Sequence, residues 1–227
     1  MNLSTMKDMP GVFTVQGEPG VEFATKNLTP DTTYYGERLL SFNNDQYREW
    51  MHSKSKLASG FKRGIRIPEL KEGASVLYLG ASSGTTVSHV SDIVGKSGTV
   101  FAVEFAPRMA RDLMRLVSLR DNVLPIVADA RYPSEYAHIV DGVDVLYCDV
   151  AQPNQSELFV DNAKAFLKSD GVGYIAVKLR SISQKQRSDL IFKEQVSILE
   201  KGGFNTLRTA DISRIHREHS VYLGKWK

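Results

Sequence analysis

The chain has 227 residues, of which 42% are apolar and 24% charged, and it carries a formal net charge of +3. That length and composition suit one well-packed soluble domain with a small appendage, and exclude collagen-like, low-complexity and strongly polyionic classes. The single cysteine, Cys148, excludes a disulfide framework and, inside an apolar run, reads as a small buried hydrophobe of a reducing interior. No apolar run approaches the roughly 20 residues that span a bilayer. Met1–Asp8 lacks the charged-then-apolar pattern of a signal peptide, so a cytoplasmic protein without membrane association is expected.

Residues 1–53 carry short β-type runs at Val12–Val15, Val21–Ala24, Thr32–Tyr35 and Leu39–Phe42. Gly17, Pro19-Gly20, Pro30-Asp31 and Asn43-Asn44 punctuate them, which predicts hairpins of a small antiparallel β domain. Such a piece is too small to be stable alone and is expected to pack on the rest. From residue 54 to 227 the texture changes. Apolar strands are predicted at Val76–Leu79, Val100–Val103, Val123–Val127, Val143–Cys148 and Gly173–Val177. Helices are predicted at Thr85–Val94, Pro107–Leu119, Asn154–Leu167 and Gln184–Glu200. That alternation implies an α/β, Rossmann-like fold, a mostly parallel sheet covered on both faces. Phe204–Ile212 and Ser220–Trp226, with only a polar basic turn between them, predict an antiparallel C-terminal hairpin closing the sheet.

The first strand runs into Gly80-Ala81-Ser82-Ser83-Gly84-Thr85-Thr86. Gly80 allows a tight turn, Gly84 lets a ligand approach the main chain, and Thr85 and Thr86 suit a helix start with free N–H groups. In doubly wound sheets, ligands sit outside the carboxyl ends of strands at such turns. The next strand ends in Glu104-Phe105, about twenty residues on, where a carboxylate can accept from ribose hydroxyls and a ring can lie on an adenine. The third ends in Ala128-Asp129-Ala130, with Asp129 placed to read an exocyclic amine, and the fourth in Cys148-Asp149. Glycine, acid, acid, acid at four successive strand ends describe a pocket for a nucleoside with a ribose diol. Each has an ordinary alternative: a glycine turn is often only a turn, and Asp129 ahead of Tyr132-Pro133 is also suited to capping a helix.

Gly80-Ala-Ser82-Ser-Gly84 also matches the G-x-S-x-G nucleophile elbow of α/β-hydrolases, with Asp149 and His219 following in that fold's order. A serine esterase using Ser82 is therefore the competing class. It leaves Glu104 and Asp129 without work, and it needs a central strand where this one opens the sheet.

Lys178 ends an apolar strand, Lys56 precedes the first strand of the sheet, and Asp149 sits one strand from Lys178. If they converge, burial and Lys56 tune Lys178 to hold or deprotonate an alcohol while Asp149 orients it. A plain Lys178–Asp149 ion pair fits the spacing equally well. Among the histidines, His219 in Arg217-Glu218-His219-Ser220 is the candidate; His89 and His138 read as structural, His52 and His216 as surface positions. Lys54, Lys56, Lys62, Arg63 and Arg66 form one basic cluster, and Arg208, Arg214 and Arg217 another, each able to follow a phosphate backbone or to be a solvated face. No His/Cys cluster has metal-ligand spacing.

Ser55–Ala58, Val76–Gly95, Ala102–Phe105, Asp129–Arg131 and Asp149–Pro153 together resemble the fibrillarin family, and the short N-terminal β region resembles its archaeal form. Gly84–Gly95 is the most specific stretch; the resemblance runs from about residue 34 to the C-terminus. It implies a methyltransferase fold and S-adenosylmethionine as cofactor, contacted by Gly80, Ala81, Gly84, Thr85, Thr86, Glu104, Phe105, Asp129, Ala130, Asp149, Val150, Ala151 and Gln152. It implies 2′-O-methylation of ribose in ribosomal RNA, and also in transfer RNA, with Lys56, Asp149, Lys178 and His219 as the catalytic group. Its implied partners are a box C/D guide RNA, a Nop-type coiled-coil scaffold and a kink-turn-binding protein; a non-catalytic scaffold that kept the fold is the remaining alternative. The chain departs from the family pattern at Trp50-Met51-His52, where Trp-Asn-Pro is usual, and at His216-Arg217-Glu218-His219, where Glu-Arg-Asp-His is usual. Ser59-Gly60-Phe61 replaces a more Ala-rich run, so a shorter helix is expected there.

Overall fold

Two sheets organise the chain in the computed structural model, which describes residues 1–227. The first is antiparallel: β1 (Asn2–Met6), β2 (Met9–Gln16), β3 (Phe23–Lys26), β4 (Leu39–Phe42) and β5 (Asp45–Glu49), in the order β1-β2-β3-β5-β4. Thr32–Tyr35 was expected as a strand and is not one. Asp31 turns the chain with a φ of 61°, and the Tyr34 and Tyr35 amides donate to the Glu37 carboxylate at 3.0 and 2.9 Å, which captures the donors a ladder would use. β1 and β5 were not anticipated. β5 reads Asp-Gln-Tyr-Arg-Glu, yet its Arg48 and Glu49 are buried.

The second sheet has β6 (Ser75–Leu79), β7 (Thr99–Val103), β8 (Val123–Ile126), β9 (Val143–Cys148), β10 (Leu167–Lys178), β11 (Phe204–Asp211) and β12 (His219–Trp226). Their order is β11-β12-β10-β9-β6-β7-β8. The pairs from β10 to β8 are parallel, and β12 runs antiparallel to both β10 and β11. This is the expected Rossmann-like sheet with its closing hairpin. The helices are α1 (Lys56–Lys62), α2 (Thr85–Val94), α3 (Pro107–Val117), α4 (Gln155–Phe166), the single turn α5 (Leu179–Ile182) and α6 (Ser188–Gly202).

Strand residues alternate between two cores. Val76, Tyr78, Ala102, Val145, Tyr147 and Tyr174 face a cluster shared with α1, α2 and the N-terminal strands. Leu77, Leu79, Val103, Leu146, Cys148 and Ile175 face a second cluster under α4 and α6. Burial on both faces explains the continuous apolar strands.

Helix α2 lies between the two sheets and is buried from Thr86 to Val94, so its polar residues need partners within the protein. Arg48 of β5 reaches Glu37 at 2.9 Å and Asp92 at 3.3 Å, and Arg120 reaches Asp92 at 2.6 Å. His89 stacks on Trp50 with ring centroids 4.7 Å apart, and its nitrogens meet Thr25 and Tyr35. This network holds the N-terminal sheet against the larger one.

Candidate functional site

The carboxyl edge of the larger sheet gathers the predicted residues in one row. Following the strand order, β10 ends at Lys178, β9 leads into Asp149, β6 into Gly80, β7 into Glu104 and β8 toward Asp129. The register is tight: the Asp149 amide donates to the Leu79 carbonyl at 2.9 Å, those of Gly80 and Ala81 to Val103 at 3.0 Å, and that of Glu104 to Ile126 at 2.9 Å.

Gly80 has a φ of +83°, and a Cβ there would lie 2.9 Å from the Asp149 carbonyl oxygen, so the turn requires glycine. Gly84, at φ +92°, precedes α2 without any side-chain cap, which leaves first-turn N–H groups open toward the loop. The Glu104 carboxylate accepts from the Ser82 amide at 2.7 Å and the Ala106 amide at 2.8 Å, fixing its position while leaving lone pairs free. Beside it, Phe105 and Val127 are 64% and 65% exposed, apolar surface that a flat aromatic ligand would cover. Asp129 is buried and accepts from the Arg131 amide and guanidinium; that guanidinium holds its carboxyl below the usual range. It does not cap the following helical turn at Pro133–Glu135, which has no side-chain cap bond. Ala130 is buried, Val150 and Gln152 half-buried, and Ala151 exposed. A glycine cradle, a fixed carboxylate and an exposed ring fit a nucleoside cofactor.

Ser82 does not have the surroundings of a nucleophile. Its φ of 51° and its place after β6 suit an elbow, and β6 is an interior strand, so the spatial argument against that reading does not hold. Chemistry decides instead: the Ser82 hydroxyl meets only Met109 Sδ, at 3.5 Å, and no histidine.

At the other end of the row, Lys56 Nζ lies 2.8 Å from Asp149 Oδ2. The partner of Asp149 is thus Lys56, not Lys178, whose side chain is exposed and forms no ion pair. Burial pushes the Asp149 carboxyl up, with Lys56 opposing that shift. His219 is half-buried; its Nδ1 meets the Arg217 carbonyl at 2.8 Å, which leaves Nε2 bare when the ring is neutral. Burial lowers its pKa, with Lys56 adding to the effect and Asp149 opposing it. Glu218 is committed elsewhere: it pairs with Arg180 at 3.0 Å. Cys148 is buried and its thiol is pushed up to about 12, so it acts as a hydrophobe.

Several supporting residues were not foreseen. Gln155 is fully buried and grips the Lys178 main chain at both N and O, at 2.9 and 3.2 Å. Tyr174 donates its hydroxyl to the Lys56 carbonyl at 2.9 Å. His216, expected at the surface, is half-buried with Nε2 2.9 Å from the His52 carbonyl.

The family model for fibrillarin matches residues 3–227. The chain belongs to the fibrillarin family. It is 46% identical over 218 residues to the fibrillarin-like rRNA/tRNA 2′-O-methyltransferase of Pyrobaculum aerophilum, covering 95% of this chain and 93% of that one. Aeropyrum pernix fibrillarin, solved with natively bound S-adenosylmethionine, superposes with a TM-score of 0.91 at 41% identity, over 99% of this chain and 98% of that one. The fibrillarin of a fibrillarin/Nop5p complex superposes with a TM-score of 0.82 at 38% identity, covering 90% of this chain and 94% of that one.

The fibrillarin-specific run Gly84–Gly95 gains a physical explanation here. It is helix α2, whose Ser88, His89, Ser91 and Asp92 serve the joint between the two sheets. Part of each basic cluster of this fibrillarin chain also meets the other. Lys62 and Arg63 at the end of α1 line a cleft of about 640 Å³ with Arg214, and Arg208 approaches Gly64. Lys62 is taken by Glu22, whereas Arg63, Arg66, Arg208 and Arg214 make no ion pair.

Proposed function

We infer that this chain transfers a methyl group from S-adenosylmethionine to the 2′-hydroxyl of ribose in ribosomal and transfer RNA, the target being chosen by a box C/D guide RNA. What carries the reading is membership of the fibrillarin family across residues 3–227, with a cofactor-bound relative superposing over 99% of the chain. The row of side chains along the sheet edge supplies the chemistry.

S-adenosylmethionine supplies a methyl group already activated on sulfur, so positioning furnishes much of the rate. Gly80–Thr86 and Asp149–Gln152 would hold its amino-acid part, Glu104 the ribose diol, and Phe105, Asp129 and Ala130 the adenine. Lys178, at the exposed end of the row, orients the ribose hydroxyl. The bare Nε2 of neutral His219 is suited to take its proton as the new O–C bond forms and the S–C bond breaks. Asp149 holds Lys56 in place and balances its charge. The unpaired arginines near Gly64 suit an RNA backbone, because guanidinium groups bind phosphate oxygens in pairs.

Sequence choice then rests with the guide. A Nop-type coiled-coil protein carries the enzyme, as in the Nop5p complex of its relative, and a kink-turn-binding protein anchors the RNA in a cytoplasmic particle. Calorimetry with S-adenosylmethionine, followed by methyl transfer to a guide-paired RNA with purified partners, tests the reading. Lys178→Ala is expected to keep cofactor binding and lose transfer. Esterase activity abolished by Ser82→Ala, without cofactor binding, would overturn it.

A further inference from the structure

The turn between β11 and β12 touches both lysines' supports. On one side the Glu218 carbonyl accepts from the Leu179 amide at 3.0 Å, directly after Lys178. On the other, His216 Nε2 lies 2.9 Å from the carbonyl of His52, four residues before Lys56. That carbonyl also receives the Ser59 hydroxyl of α1 at 2.8 Å. One short turn is therefore fastened to the end of β10 and to the lead-in of α1. His219, the next imidazole, opens β12 where this turn ends, with its ring centroid 6.3 Å from that of His216.

We propose that His216 is a positioning residue for methyl transfer: by donating from Nε2 to the His52 carbonyl, it straps the His219 turn to the helix start that presents Lys56. The proposal rests on the methyltransferase reading. His216 touches neither Lys56 nor Asp149 directly, so it acts through the backbone it holds. The groups facing the ring are Lys56 on α1, Asp149 after β9, His219 on β12, and the main chain of His52 and Ser55. Partial burial keeps the imidazole neutral at pH 7, and the ammonium of Lys56 works in the same direction, against the pull of Asp149. The donated proton on Nε2 fixes the tautomer, so any further proton enters at Nδ1 and places a second cation beside Lys56. Without the strap the polar link from the turn to the lead-in of α1 is lost, leaving the buried Ile212 and the Lys178 side to hold it, and a displacement of the two halves of the site of about 1 Å is enough to slow transfer by up to roughly a hundredfold.

The test compares His216→Ala and His216→Gln in the full chain. The glutamine amide can donate to the same carbonyl but cannot titrate. Two readouts are needed: the rate on guide-paired RNA as a function of pH, and amide hydrogen exchange across residues 52–62 in the free protein. His216→Ala is expected to lose tenfold or more in rate, on the order set by misplacement, with cofactor affinity intact and faster exchange at Ser55 and the first turn of α1. His216→Gln is expected to restore most of the rate and the slow exchange, and to leave an acid limb set by His219 alone. An alanine variant as fast as wild type overturns the proposal alone. So does a glutamine variant as slow as alanine, which would show that a donor to the His52 carbonyl is not what the site needs from this residue. If wild type itself transfers no methyl group while binding cofactor, the methyltransferase reading fails, and the proposal with it, whatever the exchange shows.

Discussion

Lys56 and Asp149, 93 residues apart in the chain, meet with Nζ 2.8 Å from Oδ2, each with about a fifth of its side chain exposed (23% and 21%). The carboxyl is raised by burial and opposed by Lys56, so the fold tolerates its charge largely because the ammonium is there. A carboxyl whose folded pKa lies above its unfolded value weakens the fold at pH above that range, and the deficit is relieved as pH falls through it. Lys56→Met removes the compensation and is expected to lose about 1–3 kcal/mol at pH 7.5, a deficit that shrinks at pH 5. Asp149→Asn leaves a lysine that can turn toward water and should stay within about 1 kcal/mol of wild type. Both should abolish most methyl transfer. Urea unfolding at the two pH values, with turnover on guided RNA, checks the pattern.

His89 has the opposite sign. Complete burial, with the charges of Arg48 and Arg120 nearby, lowers its pKa well below 6.5. The unfolded chain takes up a proton that the native ring refuses, so stability is full above the unfolded pKa and declines as pH falls below it, by at most about 1.4 kcal/mol per pH unit for one group. His89→Phe preserves a ring against Trp50 but removes two hydrogen bonds, leaving the Thr25 hydroxyl on Asp92 and the Tyr35 hydroxyl on the Glu49 carbonyl, and is expected to cost about 1–2 kcal/mol at pH 7.5. Its melting temperature should fall less steeply from pH 6.5 to 5 than that of wild type. An equal slope in both would relocate the acid sensitivity to other groups.

The parallel sheet was legible because burial on both faces writes apolar runs such as Val143–Cys148, and glycine with acids at strand ends marks a ligand edge. The N-terminal sheet was less so. β5 is polar in sequence because its Arg48 and Glu49 are buried by pairing rather than by apolarity, and pairing across 44 residues to Asp92 leaves no local trace. Tyr34 and Tyr35 carry β-favouring side chains, but Glu37 outbids the ladder for their amides. In the site, individual acids were readable and their partners were not: Asp149 chose Lys56 over the equally plausible Lys178 because α1 packs over the sheet edge, and His216 turned inward because the closing hairpin folds back onto the lead-in of α1.

Glu104 bonds the Ser82 and Ala106 amides with its two oxygens, and so shapes the glycine loop as well as facing it. Glu104→Gln puts a donor where one of those amides needs an acceptor. Loss of a charge-assisted bond is worth about 1.5–3 kcal/mol, so cofactor affinity should drop roughly ten- to hundredfold. The effect should appear in calorimetric Kd, with transfer at saturating cofactor reduced far less. A lost rate with unchanged Kd would move Glu104 out of the cofactor site.

Gly60 and Tyr174 make a paired prediction. An alanine in mid-helix ordinarily gains about 1 kcal/mol over glycine. At Gly60, however, a Cβ would fall well inside contact distance of the Tyr174 hydroxyl, the group that donates to the Lys56 carbonyl at 2.9 Å. Burial keeps that hydroxyl protonated and therefore a donor. Gly60→Ala is expected to destabilise the fold by about 1–3 kcal/mol through overpacking and to slow transfer by displacing the start of α1. Tyr174→Phe alone loses one hydrogen bond, about 1 kcal/mol. Combined, the two should be better than their sum, because removing the hydroxyl leaves the ring carbons 3.1 and 3.2 Å from the new methyl, tight but relievable by a small shift. Thermal unfolding and single-turnover transfer on all four proteins measure the coupling. Strict additivity would show that the hydroxyl and Gly60 do not constrain each other, and that Lys56 is held from elsewhere.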